Sequence, residues 1–251
     1  MNEILAALSD QQAELDALLT PVDDAAWGKP TRCVGWSVSD VVLHLAQTNA
    51  MAEASLDHRM DAFLDDMLRG LPPTANVDDA AGAMVDKERG TPPADVYARW
   101  RTGVDALLGK YRAANPSERV QWVAGTLSVQ TLATTRLAET WIHTGDVASG
   151  LGVALPSTDR LRFIARLAWR TLPYAFVRAG REMQGKVAFE LTAPNGTDTW
   201  VFADGAAETI VRGPARDLCE VAAQRADAAE TSLTAQGPDA DGVLALVRTF
   251  A

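Results

Sequence analysis

Apolar residues at helical spacing recur in four separate stretches before Gly152, and that pattern restricts the N-terminal part of the chain to packed helices. Ile4, Leu8, Leu15, Leu18 and Leu19 form one stripe from Asn2 to about Leu19. Pro21 with Asp23 and Asp24 marks a break, and Thr31-Arg-Cys-Val-Gly-Trp36 reads as a connector. Ser37-Val-Ser-Asp40 has the spacing of a capping box, with Asp in place of Glu or Gln. A second helix is therefore predicted from near Ser37, turning Val38, Val41, Val42 and Leu45 toward a core. Val96, Trp100, Val104, Leu107, Leu108 and Tyr111 define a third helix over residues 94–114, and a fourth runs from about Ser128 to Ser149, ahead of Gly150 and Gly152. Four helices of this size can close an up-and-down bundle. Between Gly70 and Pro93, the pairs Pro72-Pro73 and Pro92-Pro93 and the glycines Gly82 and Gly90 interrupt the periodicity, so a long loop with at most one short helix is expected there.

After Gly152 the pattern changes. Residues Asp159 to Phe176 form an apolar-rich helix that Pro173 is expected to kink or end. Lys186-Val-Ala-Phe-Glu-Leu-Thr192 and Thr199-Trp-Val-Phe202 alternate as strands do, with Pro194-Asn195-Gly196 as the hairpin turn between them. Glu208 to Arg212 reads as a third strand, Gly213-Pro214 as the opening of a helix through about Ala229, and Gly242 to Phe250 as a last helix. The expected fold class is mainly α with a small α+β part: a four-helix bundle over residues 1–152, then a helix and a small α+β domain over 153–251.

A chain of 251 residues can bury a sizeable core without disulfide or metal. Its net charge of −10 disfavours nucleic acid and anionic membrane surfaces, and no basic patch offsets it. No apolar run approaches a membrane span, and the N-terminus lacks the basic start and apolar run of a signal peptide. A cytoplasmic location is therefore expected, as a monomer or homodimer acting on a small molecule. Cys33 and Cys219 lie far apart and read as structural thiols. The sequence carries no GxSxG elbow, P-loop or dinucleotide fingerprint.

Candidate chemistry centres on Glu139-Thr-Trp-Ile-His143, whose carboxylate and imidazole, four residues apart, share one helix face. His44, on the second predicted helix, is placed to complete a two-histidine, one-carboxylate site that leaves a coordination position open, with Zn²⁺ the best match to the donors and Ni²⁺, Mn²⁺ and Fe²⁺ also compatible. The plainer alternative is a solvated Glu139–His143 pair with His44 satisfied at the core edge. Arg136 shares the same face. Asp146, three residues past His143, either accepts a hydrogen bond from that imidazole or decorates the helix end. His58, set among Asp57, Arg59 and Asp61, reads as a surface histidine. The tryptophans Trp27, Trp36, Trp100, Trp141 and Trp169 lie in or beside helical stripes and read as core.

Trp27, the run from Pro30 through Trp36 and Asp40 to His44, and the later Glu139-x-x-x-His143-x-x-Asp146 together resemble the mycothiol-dependent maleylpyruvate isomerase family, part of the larger DinB-like group of four-helix-bundle metalloproteins. The resemblance covers nearly the whole chain and extends to Gly213-Pro214-Ala-Arg-Asp217-Leu and Gln224-Arg225. It implies a divalent metal, usually zinc, on His44, Glu139 and His143, with mycothiol as the thiol cosubstrate at the open position. It also implies isomerisation, or transfer of the thiol, on a small electrophile. In the isomerase an arginine of the C-terminal domain assists catalysis, and the matching position is Arg225. The flanking Ala-Ala-Gln-Arg-Ala-Asp departs from the more aromatic, glycine-containing run of the isomerase, so a surface arginine on an amphipathic helix is the other reading of Arg225. Two further functions stay open at this level: a non-catalytic metal or small-ligand binding protein, and a hydrolase using zinc-bound water.

Overall fold

The computed structural model describes residues 1–123 and 125–249. The chain divides into two compact units, Met1–Ala154 and Leu155–Ala251.

The first unit is helical. It comprises α1 (Asn2–Leu19), α2 (Asp24–Trp27), α3 (Val38–Leu56), α4 (Met60–Met67), α5 (Val77–Glu88), α6 (Pro93–Ala113), the strands β1 (Arg119–Trp122) and β2 (Gly125–Ser128), and α7 (Val129–Leu151). The four long helices α1, α3, α6 and α7 form the bundle, and its ring order is α1, α7, α3, α6. Directions follow from the contacts. Gly103 lies against Asn49 and Glu53, and Lys110 pairs with Asp57, so α3 and α6 run the same way. Arg136 reaches Thr48 and Asn49 while Glu139 reaches His44, so α7 runs opposite to α3. Leu8, Leu15, Val41, Val42, Leu45, Trp100, Leu107, Leu132 and Leu137 fill the interior. Burying a side chain of this kind contributes about 1.5–3 kcal/mol.

The ends of α3 and α7 obey the local chemistry of the sequence. Ser37 accepts from the Asp40 N–H, and the Asp40 carboxylate accepts from the Ser37 N–H at 2.8 Å, completing the capping box. Ser128 caps α7 by accepting from Thr131 N–H at 3.1 Å, and Gly152 ends that helix with φ of 73°.

The shared direction of α3 and α6 departs from the expected up-and-down arrangement, in which successive helices alternate, and three further parts of the first unit differ from the expectation. The stretch expected to be a long loop with at most one short helix holds one helix, α5, which is capped by Asn76 and at three turns is longer than expected, because the buried Met84 and Val85 compensate for weak periodicity. Met84 packs in a satellite cluster with Met51 and Met60, flanked by Phe63, Leu64 and Trp122. The short helices α2 and α4 and the β1–β2 hairpin were not anticipated; four-residue strands carry too little alternation to register.

The second unit contains α8 (Leu161–Arg178), β3 (Val187–Thr192), β4 (Thr199–Phe202), β5 (Thr209–Pro214), α9 (Ala215–Ala222), β6 (Thr234–Gln236) and α10 (Ala240–Leu246). The sheet order is β4-β3-β5-β6, with β3 and β5 parallel and the outer pairs antiparallel. α8, α9 and α10 pack on it. Pro173 does not end α8, which continues to Arg178; Leu172, Ala175 and Phe176 are buried around it and offset the lost hydrogen bond. α9 stops at Ala222, short of the expected Ala229, because Gln224 turns left-handed at φ 59° and the Arg225 N–H closes back on Glu220 O at 2.9 Å. The last helix starts at Ala240 and ends at Leu246, ahead of the expected Phe250, which lies outside the described residues.

Candidate metal centre

His44 comes from the second turn of α3, and Glu139 and His143 come from successive turns of α7. Because the two helices are antiparallel neighbours, the three side chains meet between them. His44 donates from Nε2 to Glu139 Oε1 at 2.8 Å, and His143 Nε2 lies 3.5 Å from the same oxygen. One ligand atom from each residue falls within 4.8 Å of the others, and both histidines are buried. A tetrahedral ion with bonds of about 2.0–2.1 Å needs donors about 3.3 Å apart. Small side-chain rotations reach that spacing, so the residues fit the group.

The orientation of His143 is fixed from behind. Its Nδ1 donates to Asp146 Oδ2 at 3.0 Å, which leaves Nε2 facing His44 and Glu139. Of the two sequence readings of Asp146, the structure selects the imidazole partner, since its carboxylate is fully buried against the ring. His44 has no such support; its buried Nδ1 has no hydrogen-bond partner among the described residues. It is seated by rings instead. Trp36 lies 5.0 Å from the His44 ring centroid and stacks at 6.3 Å and 27° on His143.

The electrostatics follow from this packing. Burial alone would raise the Glu139 carboxyl pKa, yet hydrogen bonds from His143 and His44 hold it well below 4.5. Burial lowers the His44 pKa below 6.5 against the pull of Glu139. For His143 burial works the same way, but Asp146 and Glu139 outweigh it and raise the pKa above 6.5. Arg136, one turn before Glu139, is also buried. It donates to Thr48 Oγ1 at 2.9 Å and Asn49 Oδ1 at 3.1 Å, pinning α7 to α3 beside the three residues. Gln11 and Gln12 of α1 donate to Thr144 and Thr140, each at 3.2 Å, and hold α7 from its other side.

His58 is a surface histidine, 61% exposed in its side chain and paired with Glu118. Of the five tryptophans read as core, Trp27 and Trp100 are buried, and Trp141 and Trp169 are half-buried. Trp36 is a correction: it is half-buried and covers the two histidine rings, a role that its place in a connector did not reveal. Trp36 also lines a cleft of about 680 Å³ with Trp27, Asp40, Arg89 and Thr91, and His44, Glu139 and His143 are not among its walls. In the second unit, Arg225 follows the left-handed Gln224, just beyond α9 rather than on it. Its guanidinium donates to Ala223 O at 3.1 Å.

Comparison with known proteins agrees with this architecture. Two proteins of Mycobacterium tuberculosis, uncharacterized protein MT0041 (strain CDC 1551 / Oshkosh) and uncharacterized protein Rv0036c (strain H37Rv), are each 32% identical over 249 residues, covering 98% of this chain and 95% of theirs. The crystal structure of the mycothiol-dependent maleylpyruvate isomerase superposes with a TM-score of 0.62 at 21% identity, covering 95% of both chains, and so shares the fold. A mutant of that isomerase gives the same TM-score at 20% identity. No helix among the described residues is long and apolar enough to cross a membrane. The family described as the mycothiol maleylpyruvate isomerase N-terminal domain matches residues 8–148, more than half of the sequence, and the chain belongs to that family.

Proposed function

We propose that this protein is a cytoplasmic, zinc-dependent enzyme that uses a low-molecular-weight thiol, mycothiol, to isomerise or S-conjugate a small electrophilic metabolite. The observation that carries the reading is the convergence of His44, Glu139 and His143, in a bundle of this family, on a space where two Nε2 atoms approach one carboxylate oxygen. Two imidazoles and one carboxylate leave a coordination position open, which suits chemistry rather than a closed structural site. Bound there, Zn²⁺ would favour the thiolate over the thiol at neutral pH and so supply the nucleophile.

The chain's own residues do the rest. Asp146 holds the Nδ1 proton of His143 and thereby presents Nε2 as a donor. Trp36 shields the faces of both imidazoles from water. The buried Arg136 charge balances Glu139 from one turn away. Arg225, the position that matches the isomerase's assisting arginine, is the proposed catalytic arginine.

Calorimetric titration of the metal-loaded protein with mycothiol tests the reading. Metal-dependent binding that disappears in His143→Ala is expected, and absence of metal-dependent binding in the wild type removes the thiol from the account. For the arginine, Arg225→Ala should lower turnover with metal content unchanged; an unchanged turnover returns Arg225 to the surface.

A further inference from the structure

The loop from Pro30 to Ser37 touches both candidate histidines from outside the bundle. Pro30 and Ser37 form a β-bridge, and the Thr31 N–H donates to Trp36 O at 3.0 Å, so the intervening residues form a closed strap. One end of the strap places Trp36 over the imidazole rings. The other end carries Arg32, whose Nε lies 3.4 Å from Asp146 Oδ1 while Oδ2 of the same carboxylate accepts from His143 Nδ1 at 3.0 Å. Asp146 is fully buried, whereas the Arg32 side chain is 34% exposed, so the pair runs from the interior to the surface.

The strap is seated on two glycines of α7. A Cβ at Gly145 would lie 2.7 Å from Arg32 Nη2, and a Cβ at Gly150 would lie 2.8 Å from Pro30 O. Neither glycine has the left-handed backbone that would itself demand the residue. Their absent side chains are what let the strap approach α7 closely enough for Arg32 to reach Asp146.

We propose that Arg32 is a positioning residue of the metal centre: by pairing with Asp146 it holds that carboxylate against His143 Nδ1 and so fixes the ring tautomer that presents Nε2 to the metal. This inference rests on the metal reading above. A carboxylate anchored at one oxygen by a cation has one orientation left for the other, which is how partners behind a ligand set both its direction and its basicity.

The test uses the full chain in three forms: wild type, Arg32→Met and Gly145→Ala. Met preserves the apolar stem and removes the charge; Ala leaves Arg32, Asp146 and His143 in place and pushes the guanidinium off its seat. Zn²⁺ affinity is read by chelator competition, His143 tautomer by ¹⁵N chemical shifts, and integrity of the fold by thermal melting without metal. Roughly tenfold weaker Zn²⁺ binding in Arg32→Met, with a mixed His143 tautomer and near-wild-type melting, is expected, with Gly145→Ala changing in the same direction. Wild-type affinity and an unmixed tautomer in Arg32→Met overturn the proposal; if that variant does not fold, the same two readouts on Gly145→Ala decide it. A wild-type protein that binds no Zn²⁺ instead refutes the metal reading itself, so the two failures are distinguishable.

Discussion

Replacing Glu139 by Gln separates metal binding from the fold, because Gln keeps the shape of the side chain and an oxygen that still accepts from His44 Nε2, now 2.8 Å away. Without metal, the exchange turns a charge-assisted hydrogen bond into a neutral one, a loss of about 1 kcal/mol. With metal, it removes an anionic ligand. Structural zinc sites with four ligands are worth about 10–16 kcal/mol, or roughly 2.5–4 kcal/mol per ligand, so the affinity should fall about 10²–10³-fold. At fixed free metal in excess, that loss withdraws up to about 2.7–4.1 kcal/mol of metal-linked stabilisation. For a unit spanning Met1–Ala154, this corresponds to about 5–15 °C in melting temperature. The assay is a pair of thermal melts, with excess Zn²⁺ and with chelator, alongside a competition titration. Metal should raise the wild-type melting temperature by several degrees more than it raises that of Glu139→Gln, while the chelated proteins melt close together. Equal metal shifts in both proteins, or affinities within threefold, would refute the assignment of Glu139 as a ligand.

Other outcomes follow from the same geometry. Without metal, the Glu139 carboxylate has a folded pKa well below 4.5, so its stabilisation is complete above pH 4.5 and is lost as the pH falls through the folded value; Glu139→Gln should lack that part of the acid transition in a pH-resolved urea titration. His143 has a raised pKa, and the ion must displace its proton, so Zn²⁺ affinity should climb about tenfold per pH unit up to a value above 6.5 and flatten beyond it. Asp40 accepts from Ser37 N–H, Ser37 Oγ and Arg89 Nη1, each at 2.8 Å; with the half-exposed Arg89 counted at little, Asp40→Ala should cost about 2–4 kcal/mol in urea denaturation, and a loss under 0.5 kcal/mol would contradict the capping account. Gln224→Gly relieves a left-handed residue at the end of α9 and should stabilise the protein by about 0.5–1 kcal/mol.

The parts legible in the sequence were those with strong local chemistry. The Ser37–Asp40 box fixed the start of α3, and through it the phase that turns His44 toward α7; the spacing from Glu139 through His143 to Asp146 already contained one side of the site. What stayed hidden depends on residues distant in sequence. α5 is held in part by Met84 in a cluster with Met51 and Met60, and no window over residues 77–88 contains those partners. The shared direction of α3 and α6 follows from the excursion through α4 and α5 that joins them. The end of α9 was missed because Gln224, not glycine, adopts the left-handed turn. Trp36 and Arg32 belong to a connector whose importance lies in what α7 offers it: two glycines and a buried carboxylate.

The central claim, that His44, Glu139 and His143 hold one divalent ion, is tested most directly by elemental analysis of protein purified without added metal, with His44→Ala and His143→Ala prepared in parallel. The account predicts close to one divalent ion per wild-type chain, zinc foremost, and close to none in either variant. A wild-type stoichiometry near zero that persists after loading with Zn²⁺ and dialysis, or an equal content in all three proteins, would contradict it.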